Sequence, residues 1–332
     1  MAMASLLLLL LVFAAAPFSV APLAVFQPGS FETTTLDVGR RDPSSPPRPL
    51  LVTAPTIPGS YPILLFAHGT YLQPNLYTML FRHISSHGFI VVAPQLFDRV
   101  LPSGPTEVEY VAQVANWLPS GLPSVLPATV EPNLGKLAIS GHSRGGKSAF
   151  AVALGYAETP LVDGVTISAI IGVDPVAGRS RNRRTDPKIL TYEPHSFNLS
   201  VPVSVIGTGL GNKRRSLLMP PCAPDEVNHV EFYRESRAPA SHFVASDYGH
   251  MDMLNDWFIG MICRSGRGPR GPMRRAVGGI VVAFLKAYLE GERDDYVAIL
   301  ENPLAAPVKL SPVDNIVPYA TLAGGGLNLA AA

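Results

Sequence analysis

Short apolar runs, set apart by Gly/Pro-rich and polar stretches, recur along the chain. Tyr61–Phe66, Phe89–Pro94, Leu137–Ser140, Ile167–Val173, Val203–Gly207 and His242–Asp247 are each a few residues long and mainly apolar. Strands covered by helices on both faces read this way, because neither face needs polar positions. Phe31–Val38 and Leu50–Ala54 flank a Pro/Ser loop and predict an opening antiparallel pair. Helical periodicity lies between the runs. Thr106-Glu107-Val108-Glu109 reads as a capping box that starts a helix with Val108, Val111, Ala112, Ala115 and Leu118 on one face. Ala276–Glu290 is a second helix, stopped by Gly291. Strands alternating with helices predict an α/β fold with a mostly parallel central sheet and helices on both faces.

The stretch that organises this pattern is Leu137–Phe150, LAISGHSRGGKSAF. An apolar strand runs into Gly141-His142-Ser143-Arg144-Gly145, and small residues of helical character follow. Strand, tight turn and helix are the context in which G-x-S-x-G becomes a nucleophile elbow. A side chain two residues before or after the serine would collide where strand and helix converge, and glycine removes the collision. Ser143 is therefore the candidate nucleophile of an α/β-hydrolase fold.

A serine needs a base, the base needs an orienting carboxylate, and in this fold they follow in the order Ser, acid, His. Asp174 directly follows the run Ile167–Val173, at a strand's carboxyl end; Asp225, deep in a loop, is its competitor. His195 precedes a strand, His229 lies in the loop with Asp225, and His242 opens the last apolar run. His250 follows that run and can fall back onto Ser143. The pattern also places His68-Gly69-Thr70-Tyr71 directly after Leu65-Phe66-Ala67, where such hydrolases hold half of their oxyanion hole. The backbone amides of Thr70 and Arg144 are the expected donor pair, and the His68 side chain is expected to bond neighbouring loops.

Charge and composition narrow the partners. Lys+Arg of 26 against Asp+Glu of 25 gives a formal charge of +1, so no global field attracts nucleic acid. Lys213-Arg214-Arg215, Arg179–Arg184 and Arg264–Arg275 are basic but sit among Gly, Pro and Ser, as solvated loops do. A charged fraction of 15% with 47% apolar residues leaves apolar surface to spare, suited to a greasy substrate or a membrane. No H-E-x-x-H, C-x-x-C or paired Cys/His spacing indicates a metal, and no cofactor is expected; Glu226-x-x-His229-x-Glu231 reads as a loop hydrogen-bond cluster. Cys222 and Cys263 leave one disulfide open and exclude a disulfide framework.

Residues 1–31 carry no charged side chain, and Leu6–Phe13 is an uninterrupted apolar run ending in Ala14-Ala15-Ala16-Pro17. It is too short to span a bilayer and resembles the core of a secretory signal, although no basic residue precedes it. The Arg and Ser of a transit peptide are sparse. Residues 1–25 are thus read as a targeting segment, 26–312 as one hydrolase domain and 313–332 as a tail. Asn198-Leu199-Ser200 is a glycosylation sequon, meaningful only in a secretory lumen.

GHSRGG, FAHGTYL, Gly172-Val173-Asp174-Pro175-Val176, the loop Cys222–Tyr233 (CAPDEVNHVEFY) and Asp247–Leu254 (DYGHMDML) together resemble the plant chlorophyllases, from about Phe26 to about Pro312. The resemblance implies hydrolysis of the chlorophyll propionate ester to chlorophyllide and phytol, with a triad falling on Ser143, Asp174 and His250. It also implies a chloroplast enzyme, which the leader does not suggest. The implied partner is chlorophyll, with peripheral contact to pigment-bearing membranes; the sequence does not fix the oligomeric state. A phytyl chain needs an apolar groove, sought here in Leu210–Ala240 with Leu217, Leu218, Met219 and Pro220 as lining candidates. A generic carboxylesterase or lipase, a pigment-binding module and an interaction protein on an inactive hydrolase scaffold are the competing readings. An intact triad weighs against the last two.

Overall fold

The computed structural model describes residues 23–97, 100–258 and 262–317. One sheet of nine strands forms the centre, in the order β1-β2-β4-β3-β5-β6-β7-β8-β9. Strands β3 (Gly59–Ala67), β4 (Ile90–Pro94), β5 (Val130–His142), β6 (Ile167–Val173), β7 (Val203–Thr208) and β8 (Ala240–Ala245) run parallel. β1 (Thr33–Val38) and β2 (Leu50–Pro55) form the antiparallel opening pair, and β9 (Leu310–Ile316) closes the far edge antiparallel to β8.

Every residue of β4, β7 and β8 is buried, which is why β4 is a continuous apolar run and β7 and β8 show no solvent-facing alternation, their few polar residues (Ser204, Thr208, Ser241 and His242) being buried as well. Two apolar cores flank the sheet. One packs α1 (Thr78–Ser85), α5 (Arg270–Leu285) and α6 (Asp294–Glu301) against one face; the other packs α2 (Gly104–Val125), α3 (Arg144–Ala153) and α4 (His229–Glu235) against the opposite face. α5 continues as a π-helical turn, Lys286–Glu290, and ends at Gly291 in the left-handed region, φ 80°. That is the stop read from the sequence.

The differences have local causes. The cap of α2 is Ser103, not Thr106: its Oγ accepts from the Thr106 amide at 3.2 Å. Glu109 instead accepts from the Thr159 amide at 3.0 Å. β5 begins seven residues before Leu137, because Pro132, Asn133 and Gly135 read as a turn although Pro132 and Asn133 pair with Tyr61 and Pro62 of β3, and Gly135 falls in the irregularity before the register resumes at Leu137. β9 extends the sheet to Ile316, past the boundary expected at 312; an edge strand tolerates the Pro312 and the exposed polar residues that make this stretch read as a tail. At the other end, Val25 and Phe26 are buried against α5, so the packed body already includes the last residue of the segment read as a leader. Residues 1–22 and 318–332 lie outside the described residues.

Candidate active site

β5 ends at His142, and Ser143 occupies the turn before α3 with φ 58° and ψ −126°. A β-carbon on Gly141 would lie 2.4 Å from the Gly145 carbonyl, and one on Gly145 would lie 2.3 Å from the Ala67 carbonyl oxygen. The turn therefore closes only with glycine at both positions, and the second glycine also lets α3 pass the end of β3. Such a backbone conformation is held by its surroundings: the Ser143 amide donates to the Val173 carbonyl at 3.1 Å, and its carbonyl accepts from the Val176 amide at 3.0 Å.

Those bonds tie the serine to the end of β6, where Asp174 follows. Asp174 is fully buried and also lies at positive φ, 42°. His250, five residues past β8, donates from Nδ1 to Asp174 Oδ2 at 2.6 Å and presents Nε2 to Ser143 Oγ at 2.8 Å. Three strand ends, β5, β6 and β8, thus bring together the residues chosen from their positions in the chain. The Thr208 amide and hydroxyl, at the end of β7, also donate to Asp174, at 3.1 and 2.7 Å. Burial by itself raises a carboxyl pKa; here the His250 hydrogen bond and charge, His229 and the Thr208 hydroxyl overcome it and hold Asp174 down at about 2. The acid stays ionised and fixes His250 with Nδ1 protonated.

Asp225 is not at this site: it accepts from Asn212 Nδ2 at 2.8 Å in the loop. His195 bonds the Ser236 carbonyl. His229 starts α4, with Nε2 at 3.9 Å from Asp174 Oδ1 and Nδ1 at 2.8 Å from His242 Nε2, and Glu231 pairs with Arg234. His68 accepts from the Leu96 amide through Nε2 and donates through Nδ1 to the Gly69 carbonyl, joining two loops. Burial depresses its pKa to about 4, so it stays neutral.

Several site residues were not apparent in the sequence. His142, the variable position of the elbow, donates from Nε2 to the His250 carbonyl at 2.9 Å, and its Nδ1 accepts from Tyr77 Oη at 2.8 Å. Tyr77 Oη in turn accepts from the Gly69 amide at 3.2 Å. This chain joins the loop after β3 to the loop that carries His250. A β-carbon on Gly69 would lie 3.1 Å from Ser143 Cβ, so the Gly69-Thr70 turn lies directly against the serine. Arg144 heads α3, where the first amides of a helix have no partner within it. Its side chain pairs with buried Glu107 of α2, Nε to Oε2 at 2.6 Å, and donates to the Pro102 carbonyl. Asp252 accepts from the Gly249 and Gly266 amides, each at 2.7 Å, and shapes the histidine loop. Cys222 and Cys263 are joined in a disulfide. Leu217 and Leu218 are 92% exposed and Met219 and Pro220 also face solvent, so they line no groove here.

A serine, a histidine and an aspartate bonded in series at the carboxyl edge of a mostly parallel sheet define an α/β-hydrolase whose site has the residue set of the serine hydrolases. The sequence profile of the Chlorophyllase family matches residues 21–317, and the chain belongs to that family. It is 48% identical over 303 residues to Chlorophyllase-1 of Arabidopsis thaliana, covering 89% of this chain and 93% of the relative. It is 49% identical over 300 residues to Chlorophyllase type 0 of Chenopodium album, covering 86% and 84%. Identity to the chloroplastic Chlorophyllase-1 of Citrus unshiu is 44% over 308 residues, covering 89% and 90%. As a member of this family the protein is a carboxylic ester hydrolase.

Proposed function

We propose that this protein hydrolyses the propionate ester of chlorophyll, releasing phytol and chlorophyllide, with Ser143 as nucleophile. The observation that carries the mechanism is the series Ser143 Oγ, His250 Nε2, His250 Nδ1, Asp174 Oδ2, at 2.8 and 2.6 Å. Ser143 Oγ attacks the ester carbonyl as its proton passes to His250 Nε2. Asp174, ionised at neutral pH, stabilises the imidazolium and keeps its orientation. Negative charge develops on the carbonyl oxygen, and the amides of Thr70 and Arg144 receive it; one such donor typically contributes about 2.7–4 kcal/mol. His250 then gives its proton to the phytyl oxygen, phytol departs, and a water deprotonated by His250 cleaves the acyl-serine. The ring magnesium takes no part, so the chemistry calls for no cofactor.

The reacting atoms sit on one hydrolase domain, and the substrate is an apolar ester met at pigment-bearing membranes. The relative from Citrus unshiu is named chloroplastic, which supports the plastid as the place of action over the secretory route. The deciding experiment incubates purified wild type and Ser143→Ala with chlorophyll and follows chlorophyllide. Wild type forms it and the variant does not; equal turnover by both sinks the mechanism. Turnover of short acyl esters with none of chlorophyll would assign a general carboxylesterase instead.

A further inference from the structure

The motif Glu226-x-x-His229-x-Glu231 contains one side chain that the chemistry above does not use. His229 and His242 are both buried, and they stand in line between two carboxylates. The successive separations are 3.9 Å from Asp174 Oδ1 to His229 Nε2, 2.8 Å from His229 Nδ1 to His242 Nε2, and 3.4 Å from His242 Nδ1 to Asp314 Oδ2. The inner carboxylate is the catalytic acid; the outer one, on β9, is half-exposed. The row is built into the sheet. A β-carbon on Gly207 would lie 2.3, 2.4 and 2.5 Å from Nδ1, Cγ and Cε1 of His229, so the face of that ring rests on β7 where only glycine fits. Tyr233 stacks on His242 with ring centroids 4.9 Å apart.

Burial is the leading cause that holds both rings below the ordinary imidazole pKa, His242 at about 3, so each is neutral and carries one N–H. Two protons therefore serve three gaps. The middle gap takes one, because two bare nitrogens 2.8 Å apart would repel. The other proton lies at the inner or the outer end. At the inner end a bare Nε2 would face the ionised, fully buried Asp174, and the Thr208 backbone carbonyl that bonds this ring would lose its donor. At the outer end a bare Nδ1 faces a carboxylate that solvent reaches, across the longer distance of 3.4 Å. The inner end thus holds the proton: His229 carries it on Nε2, and its bare Nδ1 accepts from His242 Nε2–H. Asp174, His250 and Asp225 are the charged or titratable groups besides His242 that act on the His229 ring.

We propose that His229 is a positioning residue for ester hydrolysis, its Nε2–H facing Asp174 Oδ1 and keeping the carboxylate turned toward His250, with the tautomer fixed by the proton that His242 donates to Nδ1. The inference rests on the triad reading above and adds a residue that acts through the acid, whichever ester is cleaved. His250 Nδ1 and the Thr208 hydroxyl already bond Oδ2, and the Thr208 amide bonds Oδ1. The His229 N–H is the remaining positive group on the Oδ1 side. Its hydrogen bond to the Thr208 carbonyl also holds the residue that supplies two of the other three donors. An apolar side chain at 229 would fill the same space and leave both tasks undone.

Two measurements on the full chain test this. Nitrogen-15 NMR of histidine-labelled protein, with the His229 signals assigned by their loss in His229→Gln, should show a protonated Nε2 and a bare Nδ1; the reverse tautomer overturns the proposal. The second is steady-state hydrolysis of p-nitrophenyl butyrate. His229→Phe lowers kcat about tenfold with KM unchanged, the order expected when an N–H dipole 3.9 Å from a buried charge is lost, and moves the downfield proton resonance of the His250–Asp174 bond. His229→Gln, which keeps a donor at that place, recovers most of the rate. A kcat of His229→Phe within twofold of wild type, or an equal loss in both variants, overturns the proposal. Should His229→Phe not fold, the tautomer in wild type decides. Ser143→Ala is the control: hydrolysis at the wild-type rate would sink the triad reading, whereas its loss there with His229→Phe unaffected overturns this proposal alone.

Discussion

His142 Nε2 donates to the backbone carbonyl of His250 at 2.9 Å, with the two rings 4.5 Å apart. One side chain of the elbow thereby holds the loop that carries the base for the serine beside it. Burial, then the nearby His250, push the His142 pKa well below its ordinary value, so the ring is neutral and has one donor to give. His142→Phe removes that donor and the acceptor for Tyr77 Oη. An active-site group displaced by about 1 Å costs on the order of a hundredfold. We expect kcat to fall by about that factor with KM little changed, and His142→Gln, which keeps a donor, to recover part of the loss. Steady-state kinetics of both variants on one ester decides it; a kcat of His142→Phe within twofold of wild type rules out the positioning role.

Glu107 and Arg144 make a second prediction. Burial pushes the Glu107 carboxyl up, while the Arg144 guanidinium at 2.6 Å and Ser148 oppose this. Removing one member of a buried pair leaves an uncompensated charge and costs about 3–5 kcal/mol, whereas replacing both by apolar groups is nearly neutral. Glu107→Leu should destabilise by that amount, and Glu107→Leu with Arg144→Met should regain most of it. Denaturant unfolding of the two single variants and the double variant tests this, and additive losses would refute it.

What the sequence revealed, and what it concealed, follows from the distance between partners. Ser143 was legible because its signal is local, a strand, two glycines and a helix within a few residues. Asp174 and His250 were legible because chain order and strand ends restrict the choice. Tyr77 with His142, or Glu107 with Arg144, carries no such sign: the partners are 65 and 37 positions apart, and only the packing of the loop after β3 and of α2 around the elbow unites them. Strand β9 was concealed for another reason, since an edge strand with exposed polar residues has the composition of a tail.

The disulfide closes a loop of 41 residues between Cys222 and Cys263, linking the segment after β7 to the segment after His250. Loop-closure entropy for a loop of that size corresponds to about 4 kcal/mol. Cys222→Ser with Cys263→Ser should lower stability by up to that amount and expose Lys213-Arg214-Arg215 to faster tryptic cleavage. Unfolding curves and cleavage rates with and without reductant give the comparison. Identical curves in all cases would mean the cross-link constrains nothing.

Acid should unfold this protein through its buried imidazoles. Burial is the leading cause that depresses His68 and His83 to about 4 and His242 to about 3, against an ordinary value of 6.5. In the folded state these rings stay neutral below pH 6.5, whereas in the unfolded chain they take up protons. Their contribution to stability is therefore complete above about pH 6.5 and is lost as pH falls toward the folded values, at about 1.4 kcal/mol per pH unit for each ring. Asp174, held at about 2 against 3.8, adds the same sign of dependence only below about pH 3.8. His83 is the ring to change, because its Nε2 donates to the Val25 carbonyl at 2.9 Å, far from Ser143, and a glutamine can make that bond without titrating. Between pH 6.5 and 4.5, His83→Gln should lose stability less steeply than wild type, by about one ring's share. Equal slopes for the two proteins would show that this histidine does not drive the acid sensitivity.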